Sequence, residues 1–131
     1  MTKHRCLLVD DDKQILGTLT RVLKKAGYVV DSVETSAEAE KKLRRNRYDV
    51  VLIDNKLPDA EGTDLLLKIP KTSDIAKVII TDYSNAEYGE KAAACGADDF
   101  LIKPVKIQEL LEVLDRLVGL NFNAKKGKGW A

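Results

Sequence analysis

The chain has 131 residues, 44% hydrophobic and 33% charged, the size and composition of one ordinary globular domain with a real core. Its 22 basic and 21 acidic side chains leave a formal charge of +1, which gives no global attraction to nucleic acid or to an anionic membrane. The apolar runs are too short to span a bilayer, and the start through Cys6 does not read as a secretory signal. Cys6 and Cys95 lack paired or metal-ligand spacing, so a cytoplasmic protein with reduced thiols is expected.

In chain order, the first apolar run is Cys6-Leu-Leu-Val9, which enters Asp10-Asp-Asp12. Ile15, Leu16, Leu19, Val22, Leu23 and Ala26 then keep the spacing of one helical face, with Gly27 where a C-terminal cap belongs. Tyr28-Val-Val-Asp-Ser-Val33 is more mixed and predicts an edge strand. Thr35-Ser-Ala-Glu38 has capping-box spacing and predicts a helix to about Arg45. The basic run from Lys41 to Arg47 is read as the solvated C-terminal end of that helix, where cations are favoured, in preference to a nucleic-acid patch. Val50-Val-Leu-Ile53 leads into Asp54, and the shorter apolar set Leu65, Leu66 and Ile69 is stopped by Pro70. Val78-Ile-Ile80 leads into Thr81; Ser84-Asn-Ala-Glu87 forms a second capping box, and Gly96 closes the helix it opens. Phe100-Leu-Ile102 leads into Lys103-Pro104, and Ile107, Leu110, Leu111, Leu114, Leu117 and Val118 form a last helical stripe ended by Gly119.

Apart from the mixed second run, these strand candidates are continuously apolar, the pattern of strands covered on both faces of a parallel sheet. Strand then helix, five times, predicts a doubly wound α/β domain over residues 4–119 with right-handed crossovers. Residues 120–131, with Lys125, Lys126 and Lys128, predict a flexible tail or linker stub. In such a sheet the ligand site lies beyond the carboxyl ends of the strands. Asp10, Asp11, Asp12, Asp54, Thr81 and Lys103 all follow strand runs and are expected at one mouth. Taken alone, the acidic triplet reads as a solvated helix start. Joined to Asp54 and Lys103, it reads as a Mg²⁺ site, because that ion takes few carboxylates and keeps room for phosphate oxygens. A hydroxyl and an ammonium suit the oxygens of a transferring phosphoryl group, and a central carboxylate can be its acceptor.

Val9-Asp-Asp11, Val51-Leu-Ile-Asp54 with Leu57-Pro58 and Gly62, Ile80-Thr81, and Asp98-Asp-Phe100 followed by Lys103-Pro104 together resemble the receiver domain of two-component response regulators over about residues 4–118. The resemblance implies a flavodoxin-like five-stranded parallel sheet of order 2-1-3-4-5 with helices on both faces. It implies that Asp54 accepts the phosphoryl group, that Asp11 binds Mg²⁺ directly, and that Asp10 does so through water or as an orienting partner. Lys56 would lend its backbone carbonyl to the metal. Thr81 would bond the phosphoryl group and swing toward it, Lys103 would pair with a phosphoryl oxygen, and the Lys103–Pro104 bond would be cis. Phe100 falls at the aromatic switch position, and Pro58 and Gly62 would shape the loop after the acceptor. The partners implied are a sensor histidine kinase or phosphotransfer protein and a downstream output domain or protein. Neither nucleic acid nor membrane is a direct partner, and a phosphorylation-dependent homodimer is compatible. Such a domain is not a conventional enzyme, because it catalyses only its own phosphorylation and dephosphorylation.

Two residues depart from the family pattern: Asp82 stands where a small residue usually follows the switch hydroxyl, and Lys56 where a small or polar one is usual. A carboxylate beside an incoming phosphoryl dianion is repulsive unless it points away or is paired, and Lys56 is expected to reach either Asp82 or a phosphoryl oxygen. The competing reading is a pseudo-receiver, an interaction module in which Asp82 has crippled phosphorylation. A haloacid-dehalogenase-type hydrolase would need an aspartate at position 56, and a flavodoxin would need a Ser/Thr/Gly-rich phosphate loop where Asp10-Asp-Asp-Lys13 stands. His4 is expected at the surface, Phe100 is also compatible with plain core packing, and Tyr83, Tyr88 and Cys95 are divided between an output surface and packing.

Overall fold

The structure is a computed structural model and describes residues 3–70, 72–82 and 86–126, with side chains to residue 119. Five strands alternate with five helices: β1 Arg5–Val9, α1 Lys13–Lys25, β2 Val29–Val33, α2 Ser36–Arg45, β3 Val50–Asp54, α3 Gly62–Lys68, β4 Ala76–Thr81, α4 Ala86–Ala94, β5 Asp99–Ile102 and α5 Ile107–Lys126. All strand pairs are parallel, in the order β2-β1-β3-β4-β5, as the resemblance implied.

The continuous apolar runs are explained by this sheet. Every residue of β3 and β4 is buried, because helices cover both faces. Cys6, Leu8, Leu52, Val78 and Ile80 join Leu16, Leu19 and Leu23 of α1 and Leu110 and Leu114 of α5 in one cluster. Leu7, Val9, Val51, Ile53 and Ile79 point the other way, onto Ala39 of α2, Leu65 and Leu66 of α3, and Ala92 of α4. Period-two alternation therefore survives as a choice between two apolar layers, hidden from a reading that separates only polar from apolar.

Local signals close the helices where they were expected. Gly27 has φ +101°; its N–H reaches Lys24 O at 3.0 Å and the Tyr28 N–H reaches Leu23 O at 3.0 Å, a Schellman ending. Gly96, at φ +111°, ends α4 in the same way. Thr35 caps α2 by accepting the Glu38 N–H at 3.1 Å, while Glu38 accepts the Glu34 N–H at 3.2 Å. Ser84 and Asn85 of the second capping box lie outside the described residues, as does Tyr83.

β5 forms the second edge of the sheet, as the order 2-1-3-4-5 implied, with Ile102 40% exposed. Its two faces still pack, Leu101 into the cluster with α1 and α5 and Phe100 against the opposite one. One expectation is corrected: the last helix passes through Gly119 and continues to Lys126. The Gly119 Cα faces open space, so no packing constraint or left-handed turn breaks the helix there. Among the described residues, no helix is long and apolar enough to cross a membrane.

Candidate functional site

The parallel register delivers the ends of β1, β3, β4 and β5 to one rim. Val9 lies beside Ile53, Asp54 beside Ile80, and Thr81 beside Ile102. Residues separated by up to 93 positions in the chain thus become neighbours (Asp10 and Lys103).

Carboxylate oxygens of Asp10, Asp11 and Asp54 all fall within 4.8 Å of one another. Asp10 and Asp54 are buried and Asp11 is exposed. Asp10 Oδ1 accepts the Asp12 N–H at 2.9 Å, but the buried Oδ2 has no hydrogen-bond partner. The third member of the triplet does different work. Asp12 is the N-cap of α1, its carboxylate accepting from the N–H groups of Gln14 at 2.9 Å and Ile15 at 3.3 Å. The helix-start reading therefore holds for Asp12, while Asp10 and Asp11 stand beside Asp54 instead.

Lys103 Nζ lies 2.8 Å from Asp54 Oδ1, and the Lys103 backbone N–H bonds Thr81 O at 2.8 Å. The Lys103–Pro104 peptide is cis. Thr81 is fully buried at the end of β4. Burial drives the Asp10 carboxyl up to about 6; the Asp12 amide opposes this, the charges of Asp54 and Asp11 add to it, and Lys103 opposes it. Asp54 is raised for the same first reason, burial, with Lys103 opposing and Asp11 adding. Burial alone would lower Lys103, but its hydrogen bond and ion pair with Asp54, aided by the charges of Asp10 and Asp82, hold the ammonium above its ordinary range.

The mouth is a cavity of about 430 Å³ lined by Asp11, Asp54, Asn55, Lys56, Leu57, Pro58, Asp82 and Lys103. Its floor turns tightly: the Gly62 N–H bonds Asn55 O at 2.9 Å, and Lys56 bridges to Glu61. A Cβ on Gly62 would stand 2.4 Å from the Asp54 carbonyl oxygen, so only glycine fits this approach. Among the described residues no ion pair joins Lys56 to Asp82, one of the two roles expected of Lys56; both are exposed, and the charge of Asp82 acts on Lys103.

Phe100 is half-buried against the cluster under α2 to α4, and the Gly89 Cα of α4 leaves room for its ring: a Cβ there would meet Phe100 Cε1 at 3.0 Å. Tyr88 and Cys95 pack beside the same cluster, and His4 is partly exposed with Nδ1 3.6 Å from Asp49 Oδ2.

Sequence reasoning passed over two residues of this region. Asp59 sends its carboxylate across to α2, accepting the Ser36 and Ala37 N–H groups at 2.9 and 3.0 Å. Those two bonds, Ser36 first, hold its carboxyl below the usual range. It ties the loop after Asp54 to another helix, and nothing near it in sequence marks a partner 22 residues away. Asn55 is buried beside Asp54 with its N–H on Ile80 O at 2.8 Å; its only signal was adjacency to Asp54.

A family model described as the response regulator receiver domain matches residues 6–115. Two-component response regulator ARR12 of Arabidopsis thaliana is 32% identical over 125 residues, 94% of this chain and 21% of that protein. Regulatory protein VanRB of Enterococcus faecalis is 34% identical over 114 residues, 87% of this chain and 52% of that protein. The chain thus spans between about a fifth and a half of these relatives. The crystal structure of a CheY-like response regulator receiver domain protein from Methanospirillum hungatei superposes with a TM-score of 0.88 at 33% identity, covering 94% of this chain and 99% of that one.

Proposed function

This chain belongs to the response regulator receiver domain family, and we propose that it is a phosphorylation-controlled signalling receiver whose acceptor is Asp54. The observation that carries the proposal is Lys103 Nζ, 2.8 Å from an acceptor carboxylate that shares its pocket with two more acids. Three carboxylates with one buried, unpartnered oxygen on Asp10 form a donor set that fits a hard divalent cation such as Mg²⁺. Asp10, Asp11 and Asp54, with the Lys56 backbone carbonyl, would hold it. When bound, the ion supplies positive charge against the acids and the incoming phosphoryl oxygens.

An Asp54 carboxylate oxygen attacks phosphorus, the P–N bond of a partner's phosphohistidine breaks, and its electron pair stays on the imidazole nitrogen. Lys103, held beside Asp54, offers its ammonium to a phosphoryl oxygen, and the Thr81 hydroxyl offers a hydrogen bond. Phe100, at the edge between β5 and α4, is the residue whose rotamer would report the change to the surface. Water then returns the acyl phosphate to carboxylate and inorganic phosphate, so the domain acts on itself and turns over no separate substrate. A histidine kinase or phosphotransfer protein as donor, an output domain or protein as target, and a homodimer formed on phosphorylation belong to this reading. So do a cytoplasmic setting and the absence of direct nucleic-acid or membrane binding by this domain.

Intact-mass measurement after incubation with a phosphoryl donor and Mg²⁺ tests it. One phosphate should be gained by the wild type, and none when the metal is chelated before the reaction or in Asp54→Ala. The exposed Asp82 at the mouth favours one rival, a pseudo-receiver that binds partners without modification. Wild-type protein that gains no phosphate from either a small donor or a phosphohistidine protein would establish that rival.

A further inference from the structure

Asp82 borders two spaces. It lines the mouth with Asp11, Asp54, Lys56 and Lys103, and it also lines the larger groove that runs from Lys103 and Pro104 along α1. A molecule entering the mouth from that groove passes its carboxylate. The side chain is exposed and makes no ion pair among the described residues, so its charge is not cancelled by a fixed neighbour. Four carboxylates (Asp10, Asp11, Asp54, Asp82) face two ammonium groups (Lys56, Lys103) around this opening. A divalent cation brings the set to neutrality. Without Asp82 the metal-loaded mouth would be cationic, and it would gather phosphate-bearing anions from solution.

We infer that Asp82 is a specificity-determining residue: its charge discriminates among phosphoryl donors by their net charge, disfavouring small dianionic donors relative to less charged ones. The inference rests on the acceptor role of Asp54 proposed above. Repulsion scales with donor charge, so a dianionic acyl phosphate is disfavoured more than phosphoramidate, whose ammonium-like nitrogen leaves it a net monoanion near neutral pH. A phosphohistidine buried in a protein contact is positioned by that contact, and its encounter does not depend on the free approach of an anion. Asp82 would thereby insulate the receiver from acyl phosphates of general metabolism. Lys56, also at the rim, is too exposed to offset Asp82 as a fixed pair.

The test compares initial phosphorylation rates of wild type, Asp82→Asn and Asp82→Glu with acetyl phosphate and with phosphoramidate, at saturating Mg²⁺ set by calorimetry for each variant. In Asp82→Asn the acetyl phosphate rate should rise about threefold or more relative to the phosphoramidate rate at low ionic strength, the scale of one screened charge at close range. The gap should shrink near 1 M salt, where the screening length falls to about 3 Å. Asp82→Glu should keep the wild-type ratio. Equal changes for both donors in Asp82→Asn, a ratio indifferent to salt, or an altered ratio in Asp82→Glu overturns the inference while leaving the receiver reading intact. Wild type inert to both donors and to a phosphohistidine protein overturns both.

Discussion

At the amino ends of the strands the charged groups are largely matched by opposite ones, although the buried Arg5 Nε has no hydrogen-bond partner. Arg5 Nη2 meets Asp31 at 3.4 Å, the Tyr48 hydroxyl meets the same carboxylate, the Arg5 backbone N–H meets Asp49 at 2.8 Å, and Arg116 pairs with Asp99. Even the buried Lys77 places Nζ 2.9 Å from Ile75 O, with Asp98 close by, and the Arg5 guanidinium sits over the Tyr48 ring. At the carboxyl ends, three acids crowd around one lysine and a buried carboxylate oxygen is left without a partner. Both rims are ends of the same sheet with the same helices above and below. The better-balanced rim serves folding, and the unbalanced one is the rim proposed to receive a metal and a phosphoryl group.

Substitutions should separate the two rims by sign. The largest loss is expected where the site's backbone has no slack: Gly62→Ala must push a Cβ off the Asp54 carbonyl and should cost about 2–3 kcal/mol in denaturant unfolding. At the balanced rim, Asp31→Asn strips the shared partner of Arg5 and Tyr48 and should lower stability by about 1–2 kcal/mol, with or without Mg²⁺. At the unbalanced rim the sign reverses. Asp10→Asn keeps the size and the acceptor for the Asp12 amide but removes a charge from a crowd of acids. It should raise metal-free stability at pH 7 by about 1–2 kcal/mol, while abolishing stabilisation by added Mg²⁺. A destabilised Asp10→Asn would erase the contrast.

Titration should sharpen it further. The folded Asp10 carboxyl holds its proton up to about pH 6, while the unfolded chain releases it near 3.8. Its contribution to metal-free stability is therefore complete below about pH 4 and is lost as pH rises through 6. Saturating Mg²⁺ should cancel that loss, and Mg²⁺ affinity by calorimetry should weaken as pH falls below 6, because the proton and the ion compete for one group. The smallest effect belongs to the loop tie. Asp59→Ala removes the cap on Ser36 and Ala37 and should show as faster amide exchange at the start of α2, with little change in global unfolding.

Much of this architecture was legible because its signals are local. Gly27 and Gly96 announced left-handed helix ends, Thr35 and Glu38 announced a capping box, and apolar runs without alternation announced strands with two covered faces. The site residues were legible for a related reason, since each follows directly on a strand and a parallel sheet sends all such ends to one side. What stayed hidden depended on distance through space. The lack of an ion pair between Lys56 and Asp82, which share one cavity, and the reach of Asp59 to α2 carry no mark in the neighbouring sequence.

By itself, then, the order of residues determined the alternation of strand and helix, the helix ends, and the set of acids, hydroxyl and lysine that terminate the strands. These follow from backbone conformation and apolar spacing within a few residues. Only the tertiary structure decided that Asp12 is the carboxylate that caps α1, how far Asp10 and Asp54 are buried, and whose charge reaches Lys103. Electrostatic interactions depend on separation and burial, and those quantities exist only after the chain has closed on itself.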